Sequence, residues 1–470
     1  MWVMLGSLAV AAFYILSFVF AYRAAVTART AQGAVGWVVF LLAMPFAAVP
    51  AYMVLGHHRL RGYIVSRREA RQVVEAIGRA RVRHAPDPDR SQVNLEPFEY
   101  CANMPALSGN GARILVDGSD AFQAMFEAID AAKHYVLVQF YIIRDDALGR
   151  ALRDRLIAAA SRGVEVRVMT DAVGSFGLPG RYFRGLRAAG VHVARRKRRR
   201  APAFRFQINF RNHRKTVIVD GETGFTGGLN VGEEYIGLDP YYGHWRDTHI
   251  RLRGPVVSQL QLIFVEDWHW VTGELPLAEL NWNAPLDDAD ATALIVATGP
   301  GDESENGNLL FFSALAAAKE RFWIASPYFV PDTDILTALR HAALRGVDVR
   351  ILVPDKADHW MTWLAAWAYF DTVREAGVRV FRYMDGFMHQ KVLVVDDQLA
   401  GIGSTNLDNR SFLLNFEVMA LFFDTETAHR VDRMLREDFE KAVEMTEGIA
   451  AQSLPVRYAA PIARLLSPIL

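Results

Sequence analysis

Met388-His389-Gln390-Lys391-Val392-Leu393-Val394-Val395-Asp396, followed by Gly403-Ser404-Thr405-Asn406, is the stretch from which the rest of the chain can be read. Val392 to Val395 is an apolar run rich in β-branched residues and closed by the turn-prone pair Asp396-Asp397, which predicts a short buried strand. Side chains alternate along a strand, so His389 and Lys391 share a face. An imidazole beside a fixed ammonium suits phosphoryl chemistry. The ring attacks phosphorus or protonates a leaving oxygen, and the ammonium neutralises the non-bridging oxygens.

The same constellation occurs earlier at the same intervals. His213-Arg214-Lys215 precedes Thr216-Val217-Ile218-Val219 and Asp220, and then comes Gly227-Gly228-Leu229-Asn230. An internal repeat governs the fold, and this one extends well outside the two sites. Ala128-Ile129-Asp130-Ala131-Ala132-Lys133 is echoed by Ala314-Leu315-Ala316-Ala317-Ala318-Lys319, and Tyr135 to Tyr141 by Phe322 to Tyr328. Arg162-Gly163-Val164-Glu165-Val166-Arg167-Val168 matches Arg345-Gly346-Val347-Asp348-Val349-Arg350-Ile351. Each unit reads helix, strand, helix, strand and then the His-x-Lys strand. The expectation is two homologous α/β halves, each supplying half of one site.

The paired His-x-Lys…Asp…Gly-Gly/Ser-x-Asn segments resemble the phospholipase D superfamily. Within it, the chain is similar to the bacterial cardiolipin synthases in Asn212-His213-Arg214-Lys215, Gly227-Gly228-Leu229-Asn230, His244-Trp245-Arg246-Asp247-Thr248-His249, Ser326-Pro327-Tyr328-Phe329-Val330-Pro331-Asp332 and Asn409-Arg410-Ser411-Phe412…Asn415-Phe416-Glu417. The resemblance covers nearly the whole chain. It implies an α/β fold of two phospholipase D-like halves, each a mixed sheet flanked by helices, sharing one active site about a pseudo-twofold axis. Two N-terminal transmembrane helices are expected to precede them. The expected division is a membrane anchor over 1–57, a basic juxtamembrane segment and linker over 58–110, half one over 111–290 and half two over 291–470.

Composition sets the outer limits. A chain of 470 residues, 51% hydrophobic, has ample material for a large core and more than one domain. The formal net charge is zero and says nothing about partners. The single cysteine, Cys101, excludes an internal disulfide and a cysteine-based metal cluster. There is no His-Glu-x-x-His, Walker or Rossmann pattern, so neither metal nor cofactor is expected.

Trp2 to Tyr22 and Ala34 to Gly56 are uncharged apolar runs, each near the length of a membrane-spanning helix, the second containing Pro45 and Pro50. The connector between them holds only Arg23 and Arg29. Beyond them, Arg59, Arg61, Arg67, Arg68, Arg71, Arg79, Arg81 and Arg83 face only Glu69 and Glu75. That excess places the following region on the cytoplasmic side of a multi-pass protein of the inner (cytoplasmic) membrane. The run Arg195-Arg196-Lys197-Arg198-Arg199-Arg200 reads as a solvated loop or as a contact to anionic headgroups; nucleic acid is not an expected partner. Met361 to Ala376, rich in Trp and Ala, reads as core or as a lipid entrance, and Arg457 to Leu470 as an interfacial segment.

By the resemblance, His213 attacks phosphorus to form a phosphohistidine, and His389 protonates the departing oxygen and then deprotonates the incoming alcohol. The residues by themselves leave the reverse assignment open. Lys215 and Lys391 are expected to hold the equatorial oxygens, and Gly228, Asn230, Ser404 and Asn406 to bind substrate. Asp220 and Asp396 complete the catalytic motif, although their place after each strand also reads as a turn cap. Ser404 has Gly228 as its first-half counterpart, a departure from the usual Gly-Ser. A catalytic imidazole wants a carboxylate to set its tautomer. Glu417 is the candidate for His389 and Asp247 for His213, with His244 and His249 as candidate site-lining residues. The expected activity is phosphatidyl transfer between two phosphatidylglycerol molecules, giving cardiolipin and glycerol. The alternative is a membrane-bound phospholipase D or phosphodiesterase that hydrolyses its substrate, and a catalytically dead scaffold is disfavoured by two intact site sets. The sequence leaves the oligomeric state open, a homo-oligomer included.

Overall fold

The computed structural model describes residues 2–28, 31–56, 86, 92–195, 210–302 and 304–470. The basic segment between Arg59 and Arg83 and the run from Arg196 to Arg200 lie outside the described residues.

The N-terminal unit is helical: α1 (Trp2–Thr27), α2 (Ala31–Ala43) and α3 (Pro45–Leu55). Ala21, Ala24, Leu41, Ala48, Val49 and Tyr52 pack together between them, and Ser17 Oγ donates to the Leu41 carbonyl. The second apolar run is therefore not one helix. Pro45 lacks an N–H and its ring clashes with the preceding turn, so the ladder stops at Met44 N–Phe40 O (2.9 Å) and restarts at Ala48 N–Met44 O (2.9 Å). Among the described residues, Gly6–Thr27 alone is helical, long and apolar enough to cross a membrane; Ala31–Ala43 is a shorter apolar helix.

The second unit holds the repeat. Its linker reading gives way early, because α4 (Glu96–Ala102) buries Phe98, Cys101 and Ala102, and β1 already begins at Leu107 (Leu107–Val116). Half one continues with α5 (Asp117–Ala131), β2 (Tyr135–Phe140), α6 (Ala147–Ser161), β3 (Glu165–Thr170), α7 (Gly180–Ala188), β4 (His192–Arg195), β5 (Thr216–Val219), β6 (Thr223–Gly227), β7 (Thr248–Arg253) and α8 (Val256–Thr272). Half two follows with β8 (Ala291–Thr298), α9 (Asn306–Ala317), β9 (Arg321–Ala325), α10 (Thr333–Leu344), β10 (Asp348–Pro354), α11 (Trp360–Arg374), β11 (Arg379–Tyr383), β12 (Val392–Val395), β13 (Leu399–Gly403), α12 (Asn409–Leu413), β14 (Asn415–Phe422), α13 (Thr425–Glu440), β15 (Ala442–Glu444) and α14 (Leu454–Arg464).

The strand order is β15-β11-β10-β9-β12-β13-β14-β8-β1-β7-β6-β5-β2-β3-β4. From β11 to β4 it is a palindrome of the repeat, with β8 and β1 at its centre, as a pseudo-twofold arrangement requires. β2 and β3, like β9 and β10, run parallel around a crossover helix; each crossover helix is capped by an aspartate, Asp146 accepting from Gly149 N and Asp332 from Ile335 N. β2 is buried along its whole length, as expected of a strand covered on both faces. β1 pairs with β8 over Leu107–Asn110 and with β7 from Gly111 on, and Gly109 takes a positive φ at the changeover.

The helix α11 is mostly core: Leu364, Ala365, Ala366, Trp367 and Phe370 are buried, while Trp360 and Met361 are exposed at its start. α14 buries Val456, Ala460 and Ala463 and exposes Leu454, Tyr458 and Ile462 in a stripe that continues at Leu465. The helix is thus amphipathic, with one apolar face packed on the protein and another exposed.

Candidate active site

His213 and His389 stand immediately ahead of β5 and β12, where each chain leaves one half and meets the other. The His213 peptide N–H donates to Phe416 O (2.9 Å), and the His389 N–H donates to Arg246 O (2.8 Å). Each acceptor is the residue before a carboxylate of the opposite half. The side chains follow the backbone: His213 Nδ1 lies 2.9 Å from Glu417 Oε2, and His389 Nδ1 lies 2.8 Å from Asp247 Oδ2. The expected pairing of His213 with Asp247 and of His389 with Glu417 is thus reversed. Within one half, β6 lies between β5 and β7, and β13 lies between β12 and β14, so the same-half carboxylate is two strands away.

What each half provides for its own carboxylate is the residue at the Gly/Ser position. Gly228 N donates to Thr248 O (3.0 Å) and Ser404 N to Val418 O (2.8 Å), which sets both beside the carboxylate of their own half. A Cβ on Gly228 would lie 2.0 Å from Asp247 Oδ1, so only glycine fits. In the second half, Ser404 Oγ donates to Glu417 Oε2 (2.5 Å), and Asn415 Nδ2 donates to Oε1 (3.0 Å). Asp247 accepts instead from Thr248 N at 2.8 Å.

The two lysines are buried in the same place. Lys215 Nζ donates to His213 O at 2.6 Å; Lys391 Nζ donates to His389 O and lies 3.0 Å from His389 Nδ1. Burial lowers the pKa of all four bases, because each charged form loses water. Lys215 falls well below the ordinary lysine value, and Lys391 is pushed down to about 8. Burial holds His213 below the ordinary histidine value against the pull of Glu417, and burial with the Lys391 ammonium holds His389 well below it. Burial also opposes ionisation of Glu417, but His213, Lys215 and Ser404 leave its pKa below the usual carboxylate value. Burial raises Asp247 despite Lys391. With Nδ1–H donating to a carboxylate, each neutral imidazole keeps its Nε2 lone pair for substrate.

Buried arginines hold the halves together behind the site. Arg214 Nη1 pairs with Asp267 on α8 (2.7 Å), while Nε and Nη2 reach the Glu417 (3.0 Å) and Thr298 (3.1 Å) carbonyls of half two. Arg246 pairs through Nε (2.6 Å) and Nη2 (2.8 Å) with Asp438 on α13, which Gln390 also binds (2.8 Å). These struts were missed in the sequence. Their signal was available: Glu266-Asp267-Trp268 and Glu437-Asp438-Phe439 recur in the last long helix of each half.

The remaining site expectations divide. Asn230 Oδ1 accepts from Ile142 N (3.1 Å) and its amide donates to Tyr235 OH (3.2 Å). Buried Asn406 Oδ1 has no hydrogen-bond partner among the described residues, which fits an atom kept for substrate or water. Asp220 and Asp396 are not in the site. At φ 53° and 48° they cap turns, Asp220 accepting from the N–H groups of Lys133, His134 and Tyr135, and Asp396 from those of Lys319, Glu320 and Arg321. The catalytic expectation for both is corrected to a structural role: each carboxylate satisfies the peptide N–H groups that open β2 or β9. His244 sits outside the site, bound to Asp117 (2.7 Å) and partly exposed. His249 is fully buried next to the site on β7, with burial pushing its pKa to about 3. Aromatic rings, which sequence reading did not assign, wall the two imidazoles: Tyr141 lies edge-on to His213 with centroids 5.1 Å apart, and Trp245 lies 5.3 Å from His389.

The family model described as "Cardiolipin synthase, PLD-like domain" matches residues 125–268 and 311–439, one segment in each half. Cardiolipin synthase A of Pseudomonas entomophila (strain L48) is 45% identical over 471 residues, covering 97% of this chain and 97% of that protein. Cardiolipin synthase A of Pseudomonas aeruginosa (strain UCBPP-PA14) is 45% identical over 469 residues, covering 97% and 94%. Among solved structures, phosphatidylserine synthase of Haemophilus influenzae Rd KW20 superposes with a TM-score of 0.61 at 15% identity over 80% of this chain and 99% of that one, a likeness of fold.

Proposed function

The chain belongs to the cardiolipin synthase, phospholipase D-like family, and on that footing we propose that it joins two phosphatidylglycerol molecules into cardiolipin, releasing glycerol. It is a phosphatidyltransferase associated with the membrane. The observation that carries the mechanism is the exchanged pairing, His213 with Glu417 and His389 with Asp247, which sets two oriented imidazoles and two buried lysines in one site.

With the phosphodiester anion bound and Asp247 at Nδ1, His389 enters the step as the imidazolium. His213, neutral, attacks phosphorus through Nε2, and the P–O bond to glycerol breaks as His389 gives its Nε2 proton to the departing oxygen. The phosphatidyl group then rests on His213, with Lys215 and Lys391 against its non-bridging oxygens. His389 next takes the proton of a hydroxyl on a second phosphatidylglycerol, that oxygen attacks phosphorus, and the P–N bond breaks. Both imidazoles return to their starting state. Glu417 and Asp247 fix the tautomers and stabilise the imidazolium that forms. Asn406 and the Gly228 and Ser404 backbones border the phosphate.

Transfer competes with hydrolysis, and a bilayer concentrates the acceptor where water is scarce. α1 crosses the membrane. The α2–α3 pair, kinked at Pro45, has the ~30 Å reach of a second span. The arginine excess between 59 and 83 supports, by the positive-inside rule, a reading in which the catalytic halves face the cytoplasm from the inner membrane.

The test is product analysis of the full-length protein in phosphatidylglycerol vesicles by mass spectrometry. Cardiolipin with equimolar glycerol is expected. Phosphatidic acid as the main product would replace the transferase with a hydrolysing phospholipase D.

A further inference from the structure

The loops after the paired strands β2 and β9 bring a tyrosine to each half, and the two tyrosines differ in what they meet. The gap-free registers of the repeat match Tyr141 to Tyr328 and Ser175 to Asp358. In half one, Ser175 Oγ donates to Tyr141 O (3.0 Å), and the Tyr141 ring lies against His213 and Lys215. In half two, the Tyr328 hydroxyl donates to Asp358 Oδ2 at 2.5 Å, while Asp358 Oδ1 accepts from His359 N at 2.6 Å. An uncharged serine in one half is a carboxylate in the other. Among the described residues no lysine or arginine pairs with Asp358; its ion-pair neighbour is the exposed His359 ring, with Nε2 4.0 Å from Oδ2, and the Asp358 side chain keeps 14% of its surface exposed. Its negative charge is felt at His389 and at Lys391.

A carboxylate at this place repels a phosphodiester but accepts hydrogen bonds from neutral hydroxyl groups, and charge-assisted ones are the stronger kind. A carboxylate also needs no such partner to hold α11 in place, since the His359 N–H contact is local. We propose that Asp358 and Tyr328 form a hydroxyl-reading subsite on the His389 side, which takes the glycerol headgroup first as leaving group and then as acceptor. The phosphate lies toward the lysines and the polyol toward Asp358. This places the general acid and base at His389 and leaves His213 as the nucleophile. The subsite rests on the phosphatidyl-transfer reading and adds to it the group that selects a polyol over a simple alcohol.

The experiment is an internal competition with the full-length protein in phosphatidylglycerol vesicles containing labelled glycerol and 1-propanol. Labelled phosphatidylglycerol and phosphatidylpropanol are counted in the same tube, so the fraction of folded enzyme cancels from their ratio. Asp358→Asn and Asp358→Ser are expected to lower the glycerol-to-propanol ratio about tenfold, the scale of one hydrogen bond to a charged group. Tyr328→Phe should move it the same way by less. An unchanged ratio, whatever happens to total turnover, would make Asp358 a structural strut and overturn the subsite. A variant silent toward both alcohols would overturn it as well, since discrimination is what the subsite supplies. Failure of the underlying reading looks different: the wild-type protein would then form no cardiolipin from phosphatidylglycerol alone.

Discussion

The His213–Glu417 and His389–Asp247 pairs stand on the same scaffold and differ by one methylene and one hydroxyl. In the first, the longer Glu417 is gripped by Ser404 and Asn415, and its pKa stays below the ordinary value. In the second, the shorter Asp247 lies over Gly228 without a hydroxyl donor at that position, and burial raises its pKa. A carboxylate held ionised favours a histidine that must carry positive charge while bonded to phosphorus. One held less firmly suits a histidine that gives and takes a proton in each cycle. The repeat thus supplies one geometry, and small substitutions at equivalent positions divide the labour.

The harshest way to break this comparison is to remove each imidazole in turn. His213→Ala and His389→Ala should each lower cardiolipin formation by on the order of 10⁴-fold. With an aryl phosphatidyl ester, whose leaving group needs no proton, His389→Ala should still accumulate the phosphohistidine while His213→Ala should not. Phosphohistidine on the wrong variant would exchange the two roles. Glu417→Gln and Asp247→Asn come next, each expected to lower turnover by on the order of 10²-fold. Only Glu417→Gln should slow the aryl ester burst, because the pairing crosses between halves; a burst slowed by Asp247→Asn instead would restore same-half pairing.

Smaller effects sharpen the Gly228–Ser404 contrast. Gly228→Ala drives a methyl into Asp247 and should destabilise the fold by about 1–3 kcal/mol, read as a lower Tm. Ser404→Gly adds no clash and removes the hydrogen bonds that its hydroxyl gives to Glu417 and takes from Val418 N, each worth about 1 kcal/mol. Equal losses in Tm would mean that the two positions are not distinct. The pH profile is the mildest probe. For kcat/KM on the aryl ester, the ascending limb reports deprotonation of His213, held below its ordinary value, so it should lie on the acid side of pH 6.5. The descending limb should fall near pH 8 as Lys391 loses its proton, and Lys391→Arg should move that limb upward. A limb unmoved by that change would assign it to another group. Asp396→Ala should lower Tm and leave the pH profile in place, since among the described residues its carboxylate binds turn N–H groups and no group of the site.

Much of the site was legible because a strand side chain's face is set by its immediate neighbours. His213 with Lys215, and His389 with Lys391, could be paired from alternation alone, and the repeat gave Asn230 and Asn406. The partner of each histidine was not legible. Asp247 and Glu417 stood out as candidates, but nothing in a linear chain says that β6 and β13 intervene within each half. The apolar run from Ala34 to Gly56 reads in sequence as one membrane-spanning helix, but Pro45, visible in it, divides it into two shorter helices through the backbone donor that proline lacks.

What the sequence by itself determined is the repeat, and with it the α/β class, the two halves and the presence of two imidazole–ammonium pairs. Those follow from local alternation and spacing, which a chain carries wherever it folds. Only the tertiary structure decided that each histidine belongs with the other half's carboxylate, that Asp220 and Asp396 are turn caps, and that Arg214 and Arg246 tie the halves together from behind. These depend on which strands become neighbours across the pseudo-twofold axis. That is settled by burying the shared sheet and pairing the buried charges behind the site at once.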